Sequence, residues 1–122
     1  MARGPILPGP DHPITIEPRK GRVVVRSEGA IIADTTSALV LQEAGYPEVL
    51  YLPLSDVDQS VLKRTQTTTY CPYKGECSYF TIISHSGDIV DAVWTYEKPY
   101  PEVAPIADRV AFYPDRVDFS TD

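Results

Sequence analysis

Thr67-Thr68-Thr69-Tyr70-Cys71-Pro72-Tyr73-Lys74-Gly75-Glu76-Cys77-Ser78-Tyr79-Phe80 decides how the chain reads. A β-branched run enters this stretch and an aromatic run leaves it. Between them a proline and a glycine bracket a lysine. Strand, tight turn, strand is the reading that satisfies all three parts, because β-branched and aromatic side chains suit a pleated surface while Pro and Gly suit the corner. The stretch also holds both cysteines of the chain. The turn is expected to form one wall of a small pocket, with the aromatic strand around Trp94 as another.

Outward from this hairpin, Cys77 to Ser84 and Ile89 to Tyr96 pair around the His85-Ser86-Gly87-Asp88 turn. Val49 to Leu52 is a strand stopped by Pro53. Ser55 to Asp58 caps a short helical turn that includes Val61 and Leu62. Val110 to Tyr113 and Val117 to Phe119 flank a Pro114-Asp115 turn, and Val103 to Asp108 holds one helical turn. Near the start, His12 to Ile16 is a short strand. Arg22 to Arg26 pairs with Ala30 to Ala33 across Ser27-Glu28-Gly29. Asp34 is placed to cap a short helix over Thr35 to Ala44, with Gly45 as its stop, although threonines are poor helix formers.

At 122 residues and 43% hydrophobic content, one domain with its own core is expected. Twelve prolines cut the chain into short segments and disfavour long helices. The expected fold is mainly β, with two antiparallel sheets and one or two short helices. Residues 1–10 read as a flexible N-terminal arm and 11–122 as a single domain. The net charge of −6, with no Lys/Arg run, argues against nucleic-acid binding. No stretch suits a membrane span. A cytoplasmic location follows as the expectation, with the cysteines reduced.

The candidate site residues each admit two readings. Cys71 is a reactive thiol helped by Lys74, or a small buried residue at a strand end. Lys74 presents its ammonium to an anionic ligand across Gly75, or is a solvated turn residue. Trp94 and Tyr96 share a strand face and, with Tyr79 on the neighbouring strand, either line a ligand pocket or fill the core. Glu43 would end the predicted helix where the dipole disfavours it. That position calls for a cationic partner, Lys74 or Arg64, or makes it a general base. Cys71, Lys74 and Glu43 are thus the catalytic candidates, and Lys74, Tyr79, Trp94 and Tyr96 the ligand-binding ones. His85 belongs to an exposed turn; His12 precedes a proline in the arm.

His12-Pro13-Ile14, Gly29 to Asp34, Leu41 to Glu43, Tyr51-Leu52-Pro53 with Asp56-Val57, Thr69 to Gly75, Tyr79, Trp94-Thr95-Tyr96, Pro99 and Ala111-Phe112-Tyr113 together resemble the domain of unknown function 427 family. The resemblance implies a β-tent, two antiparallel sheets meeting at an angle, as in methionine sulfoxide reductase B and the thalidomide-binding domain of cereblon. The family's nucleotidyltransferase-like label has no motif behind it here: there is no Gly-Ser with paired downstream aspartates and no P-loop. Relatives of that fold often hold zinc with two Cys-x-x-Cys knuckles. With only Cys71 and Cys77, no structural zinc and no cofactor are expected. Three functions follow in order: a small-molecule-binding module for an anionic or aromatic ligand, an enzyme using Cys71 as nucleophile or redox centre, and a structural protein forming a homodimer through edge strands.

Overall fold

A computed structural model describes residues 6–121. Ten strands make two antiparallel sheets. The larger sheet has the order β1-β4-β5-β9-β8-β7-β6 and the smaller the order β10-β2-β3. β1 is Ile14–Pro18, β2 Val23–Ser27, β3 Ala30–Thr35, β4 Leu39–Glu43 and β5 Val49–Pro53. β6 is Leu62–Cys71, β7 Gly75–Ile82, β8 Ile89–Thr95, β9 Arg109–Phe112 and β10 Asp118–Thr121. Helical structure among the described residues is confined to 3-10 turns at Leu54–Asp56, Gln59–Val61 and Pro101–Ile106.

The period-2 alternation of the strands sorts side chains to the two faces of the large sheet. Leu52, Phe80, Ile82, Val93, Val110 and Phe112 point toward the small sheet and pack with Val23, Val25 and Ile32. The neighbouring positions Tyr51, Cys77, Tyr79, Trp94 and Ala111 point the other way, into a second cluster roofed by Val103 and Ile106 of the last 3-10 turn. The β2–β3 hairpin closes through Glu28 and Gly29, both at positive φ (52° and 82°). That is the combination a two-residue turn needs if it is to match the strand twist.

The helix expected over Thr35 to Ala44 is not formed; β4 runs through Leu39–Glu43 instead, between β1 and β5. Leu41 is buried and its neighbours half-buried, a pattern a strand with both faces covered produces. The chain turns at Ala44, φ 45°, so Gly45 belongs to a strand-to-strand loop rather than a helix end. Asp34 accordingly caps nothing. It lies in β3 and accepts from both Nε and an Nη of Arg22, the residue just ahead of β2, at 2.8 and 2.6 Å. The capping role falls to Asp58, whose carboxylate accepts from the Ser60 amide at 3.0 Å.

β6 is an edge strand ten residues long. Its register breaks between Arg64 and Thr68, and the side chains there are fastened: Thr65 and Thr67 each donate to the Asp91 carboxylate at 2.7 Å. A bulge of this kind twists an edge away from further pairing.

The two flanks of the large sheet are brought face to face. Ahead of β1, the His12 ring stacks on Tyr73 of the β6–β7 turn, with centroids 3.9 Å apart and planes 8° apart. The Ile6 amide donates to the Pro72 carbonyl at 2.8 Å. The described part of the arm therefore lies against this turn, while residues 1–5 lie outside the described residues. The sheet curls without closing, since β1 and β6 do not pair among the described residues.

Candidate functional site

The curl of the sheet leaves a hollow of about 220 Å³ against the second cluster. Its walls come from β4 and the β4–β5 loop, from β5, β7 and β8, and from the β6–β7 turn. Tyr79 and Trp94 are partners in the β7–β8 ladder, so the phenol and indole stand side by side on the same face. Tyr96 follows two residues beyond Trp94, and Cys77 two residues before Tyr79, which sends all four inward. Tyr51 reaches the same place from β5, where its hydroxyl accepts from Trp94 Nε1 at 3.2 Å. Five of the eight tyrosines line the hollow: Tyr46, Tyr51, Tyr79, Tyr96 and Tyr113.

Lys74 stands at the mouth. The β6–β7 turn runs from Cys71 to Gly75, which are paired across it. Gly75 sits at φ 110°, a conformation side-chain-bearing residues avoid. The Lys74 carbonyl receives the Tyr100 amide at 3.0 Å, which ties the turn to the loop before the last 3-10 turn. Lys74 is 8% exposed. Its Nζ donates to Glu43 Oε1, while Glu43 Oε2 is 2.8 Å from His12 Nε2. The ammonium also lies 5.9 Å from the centre of the Tyr96 ring. Burial alone would raise the Glu43 carboxyl; the hydrogen bonds from Lys74 and His12, with their charge, outweigh it and hold the group below its ordinary value.

The phenols and thiol further in are uncharged. Burial raises the phenols of Tyr51 and Tyr96, and pushes Tyr79 up to about 12 in spite of its 2.9 Å hydrogen bond with Thr69. Burial likewise raises the Cys77 thiol, which is 1% exposed. At neutral pH these groups are hydroxyl and thiol, able to donate and accept but not to carry charge.

Lys74, Tyr79, Trp94, Tyr96 and Glu43 all line the hollow. Cys71 does not: it is half-buried at the end of β6, against the second cluster, and the Lys74 ammonium is engaged by Glu43. Arg64 pairs with Glu97 instead, at 2.7 Å. His85 is exposed in its turn. Among the described residues no three His, Cys, Asp or Glu side chains gather to hold a metal ion.

Sequence reasoning missed His12 as a partner of Glu43, and missed Tyr51, Cys77, Tyr46 and Tyr113 as lining. The alternation of Val49 and Tyr51 within their strand was the available signal. Reading β4 as a helix hid that Leu41 and Glu43 share a sheet face with them.

A family model for a domain of unknown function, DUF427, matches residues 15–122. The chain belongs to the DUF427 family. That match covers every strand except the first residue of β1 and includes all the hollow's lining. No curated protein matches the chain. The architecture of this DUF427 domain is mainly β with two antiparallel sheets, as the resemblance implied. Among the described residues, no helix is long and apolar enough to cross a membrane.

Proposed function

We propose that this DUF427 domain binds a small, flat, uncharged molecule, aromatic or heteroaromatic, in the hollow beside Trp94. The observation that carries this reading is the paired Tyr79 and Trp94 at a hollow whose inner polar groups are phenols and a thiol, with the charges of Lys74 and Glu43 paired to each other. Offset contact with an indole or phenol face favours planar ligands. Hydroxyls of Tyr79 and Tyr96 suit a ring with donors or acceptors on its edge. Size agrees: a cavity of ~150 Å³ admits benzene, so this one takes one ring with substituents or two small fused rings. An anion fits less well, since Glu43 already neutralises Lys74 and adds a carboxylate at the mouth.

Trp94 is the chain's single tryptophan, so its emission reports on the site directly. The test titrates indole, adenine, uracil, benzamide and methyl 4-hydroxybenzoate, with benzoate as the charged comparison. Saturable quenching or shift by an uncharged member, weakened in Tyr79→Phe and stronger than benzoate, is the expected result. A flat response to the whole panel at millimolar concentration refutes the reading.

A further inference from the structure

A second depression, of about 470 Å³, adjoins the first. The two share Glu43, Tyr46, Pro47, Val49 and Trp94 in their linings, so they are direct neighbours. Their chemistry differs. The first is floored by phenols and a thiol. Beyond the shared residues, the second is lined by the exposed Glu48 and by Leu50, Phe112, Pro114 and Phe119, and these last four offer no side-chain hydrogen-bonding group. It thus leaves one face of the large sheet and reaches the seam with the small sheet, where Phe112 and Phe119 meet edge to face at 6.4 Å. Trp94 borders both, with Tyr113 packed against it at 4.5 Å.

Resting on the ligand reading above, we infer that the ligand is an uncharged amphiphile. Its ring occupies the phenol-lined hollow, and an unbranched apolar tail passes Trp94 to lie along Leu50, Pro114 and Phe119. Adjacency is the reason to assign both depressions to one molecule: Trp94 lines both, so a ring beside the indole lies next to the apolar groove. A tail there covers the apolar surface of Leu50, Pro114 and Phe119 otherwise left in water, and a negatively charged tail would meet the carboxylates of Glu43 and Glu48.

The test uses the methyl, butyl and heptyl esters of 4-hydroxybenzoic acid, below their aggregation limit, with Trp94 emission and calorimetry as the measurements. A buried methylene strengthens transfer from water about fourfold, and a half-covered one about twofold. The butyl ester should therefore bind about ten- to sixtyfold more tightly than the methyl ester, and the heptyl ester more tightly again. Pro114→Asp, at an exposed position, should flatten this dependence while methyl ester affinity stays within twofold. Phe119→Ser, at a half-buried position, serves as the second variant, with melting checked first. If the methyl ester binds and chain length adds nothing, the tail assignment falls while the ring reading stands. If no ester binds, the tail inference falls, and the ring reading falls with it only where indole, adenine, uracil and benzamide are silent too. If long esters bind as tightly to Pro114→Asp and Phe119→Ser as to the parent, the tail lies elsewhere and the inference is overturned.

Discussion

Replacing Glu43 by glutamine removes the carboxylate charge that faces Lys74 and His12 across the curl of the sheet. The amide keeps the shape and one acceptor, so Lys74 retains a hydrogen bond, but its charge loses its counter-charge. Both side chains are mostly withdrawn from water, 10% exposed for Lys74 and 14% for Glu43. Removing one partner of a fully buried pair costs about 3–5 kcal/mol. Access to water from the mouth lowers this to about 2–3 kcal/mol. At about 2.1 cal/mol/K of unfolding entropy per residue, that is a fall in Tm of about 10 °C for a chain of this size. Lys74→Met should cost a similar amount, and the double variant should recover at least about 1.5 kcal/mol of the summed loss, because it no longer buries a lone charge. The pH dependence has a definite sign. Glu43 is held below its ordinary value of 4.5 in the folded chain, so its contribution is complete above that pH. It fades as the pH drops through the lowered folded value. The gap between parent and Glu43→Gln should therefore be widest above pH 4.5 and close in stronger acid. Urea melts across this range are the assay. A Glu43→Gln loss under about 0.5 kcal/mol, or singles that simply add in the double variant, would refute the assignment.

Gly75→Ala should lose about 1–3 kcal/mol in a urea melt through backbone strain at φ 110°. The new methyl would meet only ordinary contacts, such as the Lys98 carbonyl oxygen at 3.5 Å, so an unchanged midpoint would show that the turn relaxes freely. Cys77, buried and with its thiol raised, should resist iodoacetamide until the chain unfolds; peptide mapping that finds it alkylated in the native protein would contradict its placement. Tyr51→Phe removes the acceptor of the Trp94 indole N–H and should cost about 1 kcal/mol with a shift in Trp94 emission. A variant with the parent's emission and stability would mean that bond contributes nothing.

The sequence told most where local chemistry and tertiary context agree. The turn at Pro72 to Gly75 and the hairpins on either side of it carry their own punctuation. The two-residue spacing of Trp94 and Tyr96 placed both on one face, and the Tyr79–Trp94 pairing follows once those hairpins are in register. Thr35 to Ala44 read wrongly because Leu39, Glu43 and a terminal Gly45 mimic a helical pattern. What overrides it is burial on both sides between β1 and β5, a non-local circumstance invisible in ten residues. His12 was illegible as a partner for a similar reason. Its approach to Glu43 and Tyr73 depends on the curvature of the whole large sheet, and only the folded chain brings them together.

That curvature has a consequence for folding. Residues 31 apart along the chain, Glu43 and Lys74, complete the rim, and strands from both flanks supply the lining. A collapsed intermediate with only its hairpins formed would have no such recess. Any guest of the native state would then draw the equilibrium toward the finished sheet alone, by about 2.7 kcal/mol at a hundredfold excess over its Kd. Even a weak guest would thus register as a rise in melting temperature of the entire domain.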